Sequence, residues 1–248
     1  MRAKFLPSGD GGITVNFGNE ISEKINAEVT AFTAAAQNAK IKGVTEYIPA
    51  FCSVTVLYDP CQTGSKKLIK ALKQAQKHRS GIGNFTPMLY KIPVCYEGEF
   101  APDMQSVENM TGLSKEEIIK IHTGRDYPIY MLGFLPGFAY LGNMDKRIAV
   151  ARLETPRVKI PRGSVGIGGD QTGIYPSDSP GGWRLIGKTP VRVYDDRKEE
   201  PILYRAGDRI RFFRITEEEF MRIDHAWEKG EYTAECTDVR RGNSDRAR

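Results

Sequence analysis

RVKIPRGSVGIGG, residues 157–169, alternates polar and apolar positions, breaks at Pro161, and then alternates again through glycines at 163, 166 and 168. β-branched residues at a period of two, interrupted by turn formers, read as a strand, a turn and a second strand. The same texture surrounds it, in YPIYML (127–132), RLIG (184–187), PVRVYD (190–195), PILY (201–204) and DRIRFFRI (208–215). Strands this short, at this spacing, predict a closed or folded-over β structure rather than a parallel α/β sheet.

Upstream the pattern differs. Phe5 to Phe17 reads as a strand pair turned at Ser8 to Gly12, and Asn19 is the expected N-cap of a helix with its stripe at Ile21, Ile25, Val29, Phe32, Ala35 and Ala36. Val44 to Pro49 and Ser53 to Tyr58 are β-rich, with Val54, Val56 and Tyr58 on one face. A second amphipathic helix starts near Ser65 and sets Leu68, Ile69, Leu72 and Ala75 against a lysine-rich face. The order strand, strand, helix, strand, strand, helix describes an α+β domain, placed at 1–84. Turn-rich SGIGNFTP (80–87) marks its end, a mainly-β barrel domain is placed at 85–235, and 236–248 is expected to be a flexible basic tail. Within the second domain, helices are expected near Asp103 to Met110, from Ser114 with a capping box to Glu117, and from a Thr216 cap.

The 248 residues are 40% hydrophobic and 27% charged, a globular balance with a formal charge of +5. RRGNSDRAR (240–248) carries four Arg and one Asp, leaving only +2 for residues 1–239, so no basic stripe suited to nucleic acid is present. The sequence has no apolar run of membrane-spanning length, and MRAKFLPSGDGG lacks a signal-peptide core; a cytoplasmic protein with no membrane partner is expected. Four scattered cysteines and three histidines without ligand spacing point to neither a disulfide scaffold nor a metal site.

GWRLIGKT (182–189) matches the phosphate-loop pattern, yet PSDSPG precedes it and a strand-like PVRVY follows, where a phosphate loop requires a strand before and a helix after. It is set aside as a nucleotide site. A stronger candidate is the run Gly133, Phe134, Leu135, Pro136, Gly137, Phe138, Ala139, Tyr140, Leu141, Gly142, in which glycines permit close backbone approach and aromatic rings exclude water. The same run also fits a tightly turned core corner. Arg157 and Arg162, held beside prolines, suit an anionic group, or a surface ion pair. Gln171, Tyr175, Pro180, Gly181, Gly182 and Trp183 complete the candidate ligand wall, and His122 is either a proton carrier or a helix-end residue. Glu97 and Asp103 read as solvated carboxylates.

In order, GFLPGFAYLG, TPRVKIPRGSVGIGG, QTGIYP and SPGGWRLIGKTP closely resemble the allophanate hydrolase subunit 1 family, which includes the bacterial kinase A inhibitor and the B-type subunits of 5-oxoprolinase, the members most like this chain. The resemblance spans roughly residues 5 to 215. It implies a cyclophilin-like barrel after the α+β domain. It also implies two partners, a homologous subunit 2-type barrel protein (the C-type subunit of 5-oxoprolinase) and an A-type subunit. It further implies ATP with Mg at the level of the complex and ATP-dependent opening of 5-oxo-L-proline to L-glutamate. His122, Arg157 and Arg162 would then be catalytic. A kinase-inhibitor role, and the first half of a biotin-dependent urea or allophanate carboxyltransferase, are the alternatives. Ala151 and Arg162 depart from the family pattern, which has Pro and a small residue there.

Overall fold

The computed structural model describes residues 3–77 and 86–239. It divides into one compact unit ending at Phe85 and a second beginning at Thr86. The segment 80–87 expected to join them lies largely outside the described residues, as does the basic run 240–248.

In the first unit, β1 (Lys4–Pro7) and β2 (Gly12–Asn16) form a hairpin, followed by α1 (Glu23–Asn38), β3 (Val44–Pro49), β4 (Ser53–Tyr58) and α2 (Ser65–Lys77). The antiparallel sheet has the order β1-β2-β4-β3. Ile13, Val15, Val54 and Val56 share one face of it, and α1 and α2 bring Ile25, Val29, Phe32, Leu68 and Leu72 to the same core. Burying each of these side chains contributes about 1.5–3 kcal/mol. α1 begins later than Asn19: Ser22 is extended without a side-chain cap, the first helical amide bond runs from Asn26 to Ser22, and Ile21 is 49% exposed. Ile21 therefore lies ahead of the stripe.

The second unit contains β5 (Met88–Cys95), α3 (Met104–Thr111), α4 (Lys115–Thr123), β6 (Tyr127–Leu132), β7 (Ala139–Leu141), β8 (Arg157–Ile160), β9 (Ser164–Gly168), β10 (Gln171–Ile174), β11 (Ser179–Gly181), β12 (Arg184–Lys188), β13 (Arg209–Ile215), α5 (Glu217–Glu228) and β14 (Cys236–Asp238). One sheet runs β10-β9-β12-β5-β13-β6-β7. Its end strands approach each other where Gly173 of β10 packs on the Ala139 carbonyl of β7, so the sheet curls into a nearly closed barrel. Ile92, Val94, Ile129, Leu141, Val165, Ile167, Ile186, Ile210 and Phe212 fill it. β8 and β11 make a separate two-stranded sheet.

The expected Ser114–Glu117 capping box forms, and the expected Thr216 cap forms a second box with Glu219. Other expectations fail. Neither PVRVYD nor PILY is a strand: Tyr194 and Ile202 make only an isolated bridge, because Val191 and Val193 are buried by a turning chain rather than by a ladder. Cys236–Asp238, expected in the tail, form β14 antiparallel to Met88–Tyr90 of β5.

Candidate functional site: an aromatic cluster with open donors

The predicted aromatic residues converge. Phe138, at the start of β7, packs edge-on against Tyr140 (5.2 Å between centroids), Tyr175 (5.6 Å) and Trp183 (5.6 Å). Ile160 and Leu185 close the cluster beneath. Its position follows from the barrel: Trp183 precedes β12, and its indole lies on the β9–β10 hairpin, where Gly168 leaves room for it. A Cβ at Gly168 would fall 2.3 Å from the indole Cδ1. Only glycine gives the ring this seat.

The loop 133–138 is tightly clamped. Gly133 donates its amide to Phe138 (3.2 Å), Phe138 to Leu135 (3.0 Å), and Tyr204 donates its hydroxyl to the Gly137 carbonyl (2.9 Å). Gly137 has φ +82°, with Val193 and Tyr194 packed close behind it. Phe134 is held at φ +66° and is 63% exposed, edge-on to Phe138 at 5.6 Å. A bulky residue forced into the left-handed region and presented to solvent is a strained feature characteristic of binding sites. Pro136 and Pro180 are also exposed, whereas Gly133, Gly181 and Gly182 are half-buried.

Unsatisfied donors line this region. Gln171 Nε2, Ser179 Oγ and Arg157 Nη1 are all buried without a hydrogen-bond partner. Gln171 is paired with Gly168, which carries the indole, and Ser179 with Ile160 of the cluster. Buried donors left open cost free energy, so three on adjacent elements mark a place where a ligand's oxygens would be welcome.

Arg157 and Arg162 have different surroundings. Arg157 donates from Nη2 to Asp103 Oδ1 (2.7 Å), and Asp103 Oδ2 accepts the Leu185 amide (2.7 Å). Asp103, expected in solvent, is 8% exposed: the N-terminal end of α3 docks on β12 and carries the carboxylate inward. Arg162 instead gives its backbone amide to Asp178 (2.8 Å), and its charge bears on Arg192.

His122 does not join the cluster. Its ring is fully buried, stacked on Phe212 at 4.5 Å, with Nδ1 2.8 Å from the Tyr96 hydroxyl and Nε2 2.9 Å from Thr172 Oγ1. Thr172 gives its one hydroxyl hydrogen to the Gly166 carbonyl (3.0 Å), so Nε2 carries the proton and Nδ1 accepts from Tyr96. Burial drives the imidazole pKa from 6.5 to about 3. A neutral ring with both nitrogens engaged and no solvent contact has no free position from which to move a substrate proton, so the expected proton carrier is a core residue.

The phosphate-loop pattern is also resolved in the fold. Arg184–Lys188 is β12, paired with β9 and β5, and no helix follows it. Asp103, Arg152 and Ser179 were not selected as site residues from the sequence. Pro161 ending β8 and Pro180 within β11 were the available signal for the last, while the other two depend on contacts distant in the chain.

The family model for the carboxyltransferase domain, subdomain C and D, matches residues 3–204. The B subunit of 5-oxoprolinase from Bacillus subtilis (strain 168) is 42% identical over 230 residues, 89% of this chain and 96% of the relative. The solved structure of TTHA0988 superposes with a TM-score of 0.72 at 35% identity, covering 82% of this chain; the chain spans only 40% of that longer one. The K. lactis urea amidolyase gives a TM-score of 0.80 over 96% of this chain and 16% of that protein, at 20% identity, a likeness of fold alone.

Proposed function

The chain belongs to the family of 5-oxoprolinase B-type subunits, built on carboxyltransferase subdomains C and D, and from that premise we propose that it is the B component of an ATP-dependent 5-oxoprolinase. With A-type and C-type subunits it would open 5-oxo-L-proline to L-glutamate in the cytoplasm. The observation that carries this reading is 42% identity extending over 96% of the Bacillus subtilis relative, which takes in residues of both units.

The chemistry gives the site a task. A lactam carbonyl is a poor electrophile; phosphorylation of its oxygen creates a leaving group, and the negative charge that develops needs preorganised donors in a dry site. Phe138, Tyr140, Tyr175 and Trp183 supply the dry wall, while Gln171 Nε2 and Ser179 Oγ are donors held ready without competing partners. This chain's residues do not fit a magnesium nucleotide. The 182–189 segment is mostly strand β12, and no group of three or more His, Cys, Asp or Glu among the described residues is arranged to hold a metal ion. We place ATP activation at the level of the complex.

Co-purification with A-type and C-type subunits, followed by assay of glutamate release, tests the reading. Release that requires both ATP and this chain is expected; a complete, folded complex with no release overturns it.

A further inference from the structure

Beside the aromatic wall, the surroundings of Trp183 are cationic. The Arg152 guanidinium carbon stands 5.9 Å from the indole centroid, on an exposed residue with no ion pair among the described residues. Among the described residues Arg184 bonds neutral acceptors alone, the Ala151 carbonyl (3.0 Å) and the Ser106 hydroxyl (2.7 Å). Arg157 spends one nitrogen on Asp103 and leaves Nη1 buried and open. Asp103 is the one carboxylate bonded to any of these three arginines among the described residues, and half of its capacity already goes to the Leu185 amide. Glu154, in the same loop as Arg152, is exposed and pairs with none of them.

Tyr175 lies within the same field. Burial raises its phenol pKa, opposed by the nearby Trp183 backbone amide and by the charges of Arg152 and Arg157. Among the described residues no acceptor engages its hydroxyl. The neighbourhood is thus rich in donors, positive, and floored by a flat apolar ring. A phosphate would demand more charge and a rounder cradle; a planar carboxylate on an apolar ring matches one open guanidinium nitrogen, a hydroxyl and an indole face.

We propose that Arg157 Nη1, Arg152 and the Tyr175 hydroxyl anchor the carboxylate of a small ring-bearing acid against Trp183, with Asp103 positioning Arg157. The anchor rests on the proposed function only for the identity of its natural ligand, since 5-oxoproline is a five-membered lactam that carries a carboxylate.

Calorimetric titration of the full chain with 5-oxo-L-proline, cyclopentanecarboxylate, 2-pyrrolidinone and inorganic phosphate tests it, with tryptophan emission as a second readout. The carboxylates are expected to bind, while 2-pyrrolidinone and phosphate bind at least about ten-fold more weakly. Arg157→Lys should weaken carboxylate binding by about ten-fold or more, because an ammonium cannot serve Asp103 and a second oxygen in fixed geometry. Arg152→Gln, on an exposed residue that leaves the fold intact, should weaken it by about five-fold. The anchor is overturned if no carboxylate binds, if 2-pyrrolidinone or phosphate binds as tightly as the acids, or if Arg152→Gln leaves affinity unchanged. Cyclopentanecarboxylate binding without 5-oxoproline binding would uphold the anchor and sink the lactam reading, so the two fail separately.

Discussion

Two of the places where the barrel unit buries polar groups treat them in opposite ways. Around His122, the chain Tyr96, His122, Thr172, Gly166 passes each hydrogen to a waiting acceptor, and the ring is stacked and sealed. Around Trp183, Arg157, Gln171 and Ser179 each hold a buried donor with nothing to receive it. A satisfied network stabilises one conformation, whereas an unsatisfied one stores a cost that a ligand can relieve. The histidine, the residue type most readily suspected of chemistry, stands in the first place; the second is made of residues that look structural.

The largest effect should come from breaking the closed network. His122→Ala leaves the Tyr96 hydroxyl without its acceptor and the Thr172 oxygen without its donor, opens a cavity beside Phe212, and should cost about 3–5 kcal/mol, read as a lowered midpoint of chemical denaturation. Little change there would mean that the network does not brace the barrel. Next, Gly168→Ala attacks the seat of the open site; the methyl must displace the indole, costing about 1–3 kcal/mol and shifting tryptophan emission. An unshifted spectrum would show that the ring is not held there.

Acid sharpens the contrast further. In the unfolded chain His122 protonates near pH 6.5, but in the fold it stays neutral to about pH 3. Between those values the unfolded state binds more protons, so stability falls as pH drops, by up to about 1.4 kcal/mol per pH unit from this residue. His122→Gln should flatten that slope while lowering stability at neutral pH; an unchanged slope would assign the acid sensitivity elsewhere. Smallest of all, Ser179→Ala removes a donor that has no partner, and should change stability by less than about 1 kcal/mol while reducing activity of the assembled complex. A large loss of stability would reveal a structural bond at Ser179.

Much of the architecture was legible because it is local. Capping boxes at Ser114 and Thr216 are settled within four residues, and the alternation of Val54, Val56 and Tyr58 within five. The Asn19 cap failed because a polar residue ahead of an apolar one looks the same whether the helix starts at once or four residues later. Of the site, the aromatic residues were legible from their density with glycine. Which arginine faces the cluster was not: Arg157 is chosen by Asp103, 54 residues away in sequence, and the His122 ring is held by Thr172, 50 residues away. Composition carries no record of such meetings. The basic tail shows the same limit, since Cys236–Asp238 become a strand only because β5 offers an edge.

That edge matters for how the protein is made. β5 opens the second unit, yet its parallel neighbour is β13, and β14 covers its first residues, with Lys91 meeting Glu235 across 144 residues of sequence. During synthesis β5 therefore emerges long before either neighbour, and the barrel closes only when β13 and β14 have left the ribosome. Non-local pairing of this kind folds slowly and leaves a hungry strand exposed meanwhile. Loss of even the last dozen described residues would bare the Met88–Tyr90 edge to strands of other molecules, so insolubility on shortening this end is to be expected of the barrel itself, whatever becomes of its chemistry.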